Sequence, residues 1–287
     1  MAKPSILKNY IYIATALIVV GLCGLASCRS PETSKLKIIG GTPVNANDPV
    51  INHVAVLVDA DDSVVCTVAP IAKDVFITAA HCVFDKDLSG WTIRTGRSIL
   101  ANRKSGSRSS KHDGEILKVE RDVMAHQEYS RGLLEVLEPT AAPNDVALVK
   151  TSDPSAGTIP VPILINTSRW SVESNLPIVV AGYGRTDASS PESSGVLQKA
   201  ELRISKVTKS VMEFTAVDPE GKMGCHGDSG GPAFVTAGRN VWLVGIVSRG
   251  DRACTKGTTV FTDLTEFWPF LDEAQRALNF RLMIPNN

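Results

Sequence analysis

Cys225-His226-Gly227-Asp228-Ser229-Gly230-Gly231-Pro232 is the stretch on which the reading of this chain turns. A serine set among three glycines and an aspartate reads as an exposed nucleophile in a tight turn. Its hydroxyl reacts poorly at neutral pH, so it needs a base within hydrogen-bond reach, a group that orients the base, and N–H donors for an oxyanion. Gly227 has no β-carbon and lets the backbone aim its N–H beside that of Ser229. Taken alone, the string also fits a Gly/Pro surface turn.

The base has to come from five histidines: His53, His81, His112, His126 and His226. His81 ends the apolar run Phe76-Ile77-Thr78-Ala79-Ala80 and is followed at once by Cys82. An orienting carboxylate is offered by Asp145 in Asn144-Asp145-Val146-Ala147-Leu148-Val149, an acid at the mouth of an apolar strand. Each has a plain alternative as a structural histidine or a turn aspartate. The order His, Asp, Ser along the chain is what joins them.

The strings IIGG (Ile38 to Gly41), TAAHC (Thr78 to Cys82), NDVAL (Asn144 to Leu148) and GDSGGP (Gly227 to Pro232) together resemble the trypsin-like, chymotrypsin-fold serine peptidases. The resemblance runs from Ile38 to about the C-terminus. It implies an all-β domain over residues 38–287, built of two packed six-stranded antiparallel β-barrels with a C-terminal α-helix, and a boundary between barrels near residues 151–165. It implies the triad His81, Asp145 and Ser229, an oxyanion hole from the N–H groups of Gly227 and Ser229, and Ser248 touching Asp145. The reaction implied is acyl transfer from a protein or peptide substrate to water, with neither cofactor nor metal.

The resemblance also implies a zymogen. Cleavage between Lys37 and Ile38 would free an α-amino group to pair with Asp228 and set the oxyanion hole, because an unpaired buried carboxylate is costly. At the floor of the substrate pocket, where trypsin-like specificity requires an aspartate, stands Met223, with Gly224 beside it. Gly250 and Thr259 fall on the pocket walls. A thioether cannot pair with Lys or Arg, so a small or medium apolar side chain is expected there. An apolar preference means that another peptidase must cut after Lys37. Lys222 and Glu220 lie close by in sequence, and Arg249 stands where the family usually carries an aromatic.

Ahead of Ile38, Lys3 and Lys8 precede an apolar run from Ile11 to Leu25 that is short for a membrane span. It ends in Leu25-Ala26-Ser27-Cys28, which resembles the lipobox of bacterial lipoproteins. Residues 1–28 are therefore expected to be a signal peptide with a lipid anchor at Cys28, and 29–37 a short pro-segment. The alternative is an ordinary signal peptide cut near Ala26 or Ser27. Either way the chain is exported, with an outer-membrane or surface location favoured for the anchored form and secretion after activation. Membrane contact would be through the lipid alone.

Cysteine usage agrees with export. Setting aside Cys23 and Cys28 leaves Cys66, Cys82, Cys225 and Cys254. The family resemblance pairs Cys66 with Cys82, and Cys225 with Cys254 would clamp the loops beside the pocket. An even number in an exported chain, without close-spaced ligand pairs, argues for disulfides over zinc. Charge excludes little but points away from nucleic acid. The 30 basic and 30 acidic side chains balance, and losing residues 1–37 removes five basic and one acidic, leaving 25 against 29. The densest basic run, Arg94 to Lys111, is rich in Ser and Gly and reads as a solvated loop.

Short β-branched runs between turn-rich segments support the barrels directly: Val54–Val58, Val64–Ile71, Val75–Ala80, Ile116–Val119 and Val146–Val149, then Ile178–Ala181, Leu197–Val207, Ala233–Val235, Val241–Ser248 and Val260–Thr262. Phe267, Phe270, Leu271, Ala274 and Leu278 fall near helical spacing and predict a helix over Thr265–Leu278. Ala188 to Gly195 reads as a loop. Two other readings stay open: a peptidase acting on one partner protein, for which the stretches Arg94–Lys111 and Arg131–Pro143 could rim the cleft, and a binding protein that kept the fold without catalysis.

Overall fold

Strands of three to eleven residues, many of them rich in valine and isoleucine, close into two β-barrels. The computed structural model of the chain describes residues 38–99, 114–129, 142–163, 171–237 and 240–283. The expected leader, Cys28, Lys37, and most of the stretches 94–111 and 131–143 lie outside them.

The first barrel closes in the order β2 (Ala55–Val58), β3 (Val64–Pro70), β4 (Val75–Thr78), β7 (Ala147–Thr151), β6 (Ile116–Ala125), β5 (Thr92–Arg94) and back to β2. In the second, β8 (Pro177–Gly182), β9 (Gln198–Thr208), β10 (Glu213–Val217), β13 (Thr258–Asp263), β12 (Asn240–Gly250) and β11 (Pro232–Ala237) return to β8, with β1 (Thr42–Pro43) added on the edge of β9. All the pairings between strands are antiparallel. This is the expected architecture of two six-stranded barrels. The crossover between them runs from the end of β7 at Thr151 to the start of β8 at Pro177.

Every residue of β2 and β4 is buried, because one face fills the barrel and the other is covered. Strand β9 instead alternates buried and exposed side chains along its first half, as a half-covered strand must. Leu57, Val68, Phe76 and Ile93 belong to the core of the first barrel. Ile178, Leu202, Phe214 and Phe261 belong to that of the second. The rings of Phe214 and Phe261 stack at 4.9 Å, and a β-carbon at Gly245 would lie 2.6 Å from the Phe214 ring. A third cluster takes Val56, Ile77 and Leu148 from one barrel, Ala181, Phe234 and Leu243 from the other, and Phe270, Leu271 and Ala274 from the terminal helix. Each valine, leucine, isoleucine or phenylalanine among them contributes roughly 1.5–3 kcal/mol on full burial, so the interface between barrels is itself core.

The structure corrects two boundaries and adds strands. The terminal helix, α2, spans Trp268–Leu278 and not Thr265–Leu278. Asp263 accepts a hydrogen bond from the Thr265 N–H and starts a separate 3-10 turn over Leu264–Glu266, while Pro269 opens the helix itself. Strand β4 stops at Thr78, and the chain turns into the short helix α1 (Ala80–Val83), which carries His81. Strands β5 and β10 were not expected. β5 has one buried residue in three, and β10 begins with a glutamate, so neither shows an apolar run.

Candidate active site

His81 sits in the first turn of α1, directly after the buried strand β4, and 23 % of its side chain is exposed. Asp145 precedes β7 and is 1 % exposed. Asn144, in the left-handed region at φ 62°, turns the chain so that the carboxylate points back toward α1. Asp145 Oδ2 accepts from His81 Nδ1 at 2.8 Å and from the Ser248 hydroxyl at 2.6 Å, while Oδ1 accepts the His81 backbone N–H at 2.9 Å. Burial pushes the Asp145 carboxyl up, but the His81 charge and the bonds from His81 and Ser248 outweigh it and hold the pKa below the usual carboxylate range. An ionised Asp145 fixes the proton of His81 on Nδ1 and leaves Nε2 as the basic nitrogen.

Ser229 is half-buried in the turn before β11. Its carbonyl accepts the Thr67 N–H from β3 at 2.8 Å, and the Gly230 N–H donates to the Val247 carbonyl at 2.7 Å, so both barrels hold the turn. Gly230 can bear no side chain, since a β-carbon there would lie 2.0 Å from the Thr78 hydroxyl. Gly227 takes φ +96°, and a β-carbon would lie 3.0 Å from the Gly184 Cα. Its carbonyl accepts from the Thr67 hydroxyl at 2.8 Å. Among the described residues neither the Gly227 nor the Ser229 N–H is paired with a protein acceptor.

Asp228 is wholly buried. Its carboxylate accepts the N–H groups of Gly184 at 2.8 Å and Cys225 at 2.9 Å. No cation is paired with it among the described residues, and burial pushes its pKa up to about 6. Ile38 is 1 % exposed, and the carbonyl of Ile39 accepts the Met223 N–H at 2.9 Å.

Met223 is fully buried and packs with Cys225 and Cys254. The Gly224 N–H donates to the Thr259 hydroxyl at 3.0 Å, and a β-carbon at Gly250 would lie 3.3 Å from the Met223 methyl. Lys222 is spoken for by Glu220, at 2.8 Å, and by Asp218. Disulfides join Cys66 to Cys82 and Cys225 to Cys254. Cys66, His81 and Cys82 are the one group of three potential metal ligands that lie close together among the described residues, but the two sulfurs are bonded to each other and His81 Nδ1 is held by Asp145.

A family model described as Trypsin matches residues 38–271. The chain belongs to the trypsin family. It is 27% identical over 277 residues to mast cell protease 2 of Ovis aries, covering 90% of this chain and 95% of that protein. It is 24% identical over 213 residues to chymotrypsin-2 of Vespa crabro, covering 71% and 87%. Among solved structures, neuropsin, a serine protease expressed in the limbic system of mouse brain, superposes with a TM-score of 0.64 at 19% identity, covering 82% of this chain and 98% of that one.

Within this trypsin-family frame, three residues near the site escaped the sequence reading. Thr67 holds the Gly227–Ser229 turn through its hydroxyl and its backbone N–H, Gly184 acts through backbone approach, and nothing in their local sequence marks them. β-Carbons at Gly182 and Gly184 would lie 2.2 Å and 2.4 Å from atoms of the Asp228 carboxylate, which is the reason for glycine at both. The third is Glu213, which receives both terminal nitrogens of Arg249 at 2.6 and 2.7 Å.

Proposed function

We propose that the chain is an exported serine endopeptidase that hydrolyses peptide bonds through Ser229, His81 and Asp145. The observation that carries this reading is the buried Asp145 carboxylate, bonded to His81 Nδ1 and Ser248, in a fold that also brings the Gly227–Ser229 turn against the first barrel. Ser229 Oγ attacks the scissile carbonyl and His81 Nε2 takes its proton. The developing oxyanion is received by the Gly227 and Ser229 N–H groups. His81 then gives the proton to the leaving amine, and water repeats the sequence on the acyl-enzyme.

We read the chain as a zymogen activated by cleavage after Lys37. A buried Asp228 with two backbone donors and, among the described residues, no cation supports this, since a new ammonium at Ile38 would supply the missing charge. The neutral, buried Met223, and Thr259 bonded to Gly224, support a preference for a small or medium apolar residue before the scissile bond, with a second peptidase as activator. The two disulfides support an oxidising destination. No helix among the described residues is long and apolar enough to cross a membrane. Anchoring is proposed through a lipid on Cys28, so cutting after Lys37 would activate and release the enzyme together. Active enzyme beginning at Ile38 but still in the membrane fraction would overturn that coupling.

The deciding experiment is hydrolysis of peptide amides that differ only in the residue before the scissile bond, by protein cut to begin at Ile38, with uncut protein and Ser229→Ala as controls. Cleavage after Val, Leu or Ala supports the pocket reading, and cleavage after Arg or Lys refutes it. If casein is untouched while one natural partner is cut, the narrow regulatory reading replaces the broad one. If no peptide or protein is cut, the chain is a binding protein.

A further inference from the structure

Three strands of the second barrel reach across to the segment that delivers Asp145. Strand β12 gives Ser248 to its carboxylate, and the Thr262 hydroxyl of β13 donates to its backbone carbonyl at 2.9 Å. Strand β10 gives Glu213, whose Oε1 accepts the Ala142 N–H at 3.2 Å. Only 7 % of the Glu213 side chain is exposed, and a carboxylate so placed needs a cation. Arg249 supplies it with two parallel N–H···O bonds, and the same Nη1 lies 3.5 Å from the Ser248 hydroxyl. A continuous line of polar contacts thus runs from Ala142 through Glu213, Arg249 and Ser248 to Asp145 and His81.

We propose that Glu213 and Arg249 are a positioning pair that sets Asp145, and through it His81, for the reaction proposed above. The inference rests on that reaction for its kinetic consequences but not for its geometry. Between Ala142 and Asp145 stand only Pro143, whose ring fixes φ, and Asn144, held at φ 62°, so an anchored Ala142 leaves Asp145 little slack. The pair also balances charge. The charged groups bonded along the line are Glu213, Arg249, Asp145 and His81. With Glu213 in place, the guanidinium beside Ser248 is neutralised; without it, a positive charge faces the Asp145 carboxylate and opposes protonation of His81. Removing Arg249 instead leaves an uncompensated negative charge that favours the imidazolium.

The test uses the full chain and its form cut after Lys37, as wild type, Glu213→Gln, Arg249→Gln and the double variant. Glu213→Gln keeps an acceptor for Ala142. Its kcat is expected to fall about 5- to 20-fold with KM within about twofold, and the acidic limb of kcat/KM to move down by a few tenths to about one pH unit. Arg249→Gln is expected to move that limb up. The double variant should return close to the wild-type midpoint, because the two charge effects cancel. A merely structural role gives neither opposite signs nor cancellation. If Arg249→Gln does not fold, Glu213→Gln and the double variant still carry the comparison. The His81 Nδ1 proton, followed by NMR in a Ser229→Ala background, gives the same titration without turnover. A wild type that cuts nothing therefore sinks the peptidase reading, while the NMR midpoints decide the positioning role separately. Midpoints unchanged from wild type, or shifts of the same sign in both single variants, overturn it.

Discussion

Asp228 makes the stability of the uncut chain depend on pH in a direction opposite to that of most buried carboxylates in ion pairs. Burial raises its pKa from 3.8 to about 6, with bonds from Cys225 and Gly184 offsetting only part of the effect. Between those values the folded chain keeps a proton that the unfolded chain has released. Stability therefore falls as pH rises from about 4 to about 6 and stays at the lower level above that window. A folded pKa of about 6 against 3.8 unfolded corresponds to a loss of about 1.4 kcal/mol between pH 5 and pH 7.5. Asp263, also pushed up to about 6 by burial, adds a similar slope, which Asp263→Asn removes while leaving an amide oxygen for Thr265. His53 and His126, lowered by burial, slope the other way but equally in cut and uncut protein. The assay is urea unfolding at pH 5.0, 6.0 and 7.5 of Ser229→Ala/Asp263→Asn, uncut and cut after Lys37. The uncut form should lose about 1.4 kcal/mol more than the cut form over that range, because the new ammonium holds Asp228 ionised. The same pH dependence in both forms would refute the pairing and the activation mechanism built on it.

Gly227→Ala forces a β-carbon against the Gly184 backbone at a φ of +96°, so kcat should drop by about 10²–10³ with little change in KM, read by steady-state kinetics. Met223→Asp places a carboxylate at the proposed pocket floor; peptides with Arg before the scissile bond should gain at least about tenfold in kcat/KM over those with Leu, while urea unfolding shows a loss of about 1–3 kcal/mol from the buried charge. Replacing both Cys225 and Cys254 with serine opens a loop of 29 residues and should cost about 3.5 kcal/mol in the unfolding free energy, by the loop-entropy relation.

The local strings carried most of the candidate site. His81, Asp145 and Ser229 each lie in a short motif whose chemistry is confined to a few neighbouring residues, and the glycines around Ser229 announce a turn that side chains could not enter. The valine-rich runs placed ten of the strands, since burial on both faces leaves an apolar run in the sequence and burial on one face, as in β9, leaves an alternating one. What escaped was set by distant neighbours. β10 was hidden because Glu213 looks like a surface residue until Arg249, 36 positions later, neutralises it.

Sequence alone determined the family resemblance, the order of the candidate reactive residues and the neutral side chain at Met223, because these depend on side-chain identity at positions fixed by local turns. Only the tertiary structure decided that Asp228 is buried without a cation beside it among the described residues, and that three strands of the second barrel clasp the segment bearing Asp145. Burial and hydrogen bonding between residues a hundred positions apart are properties of packing, which brings them together only when the two barrels close against each other.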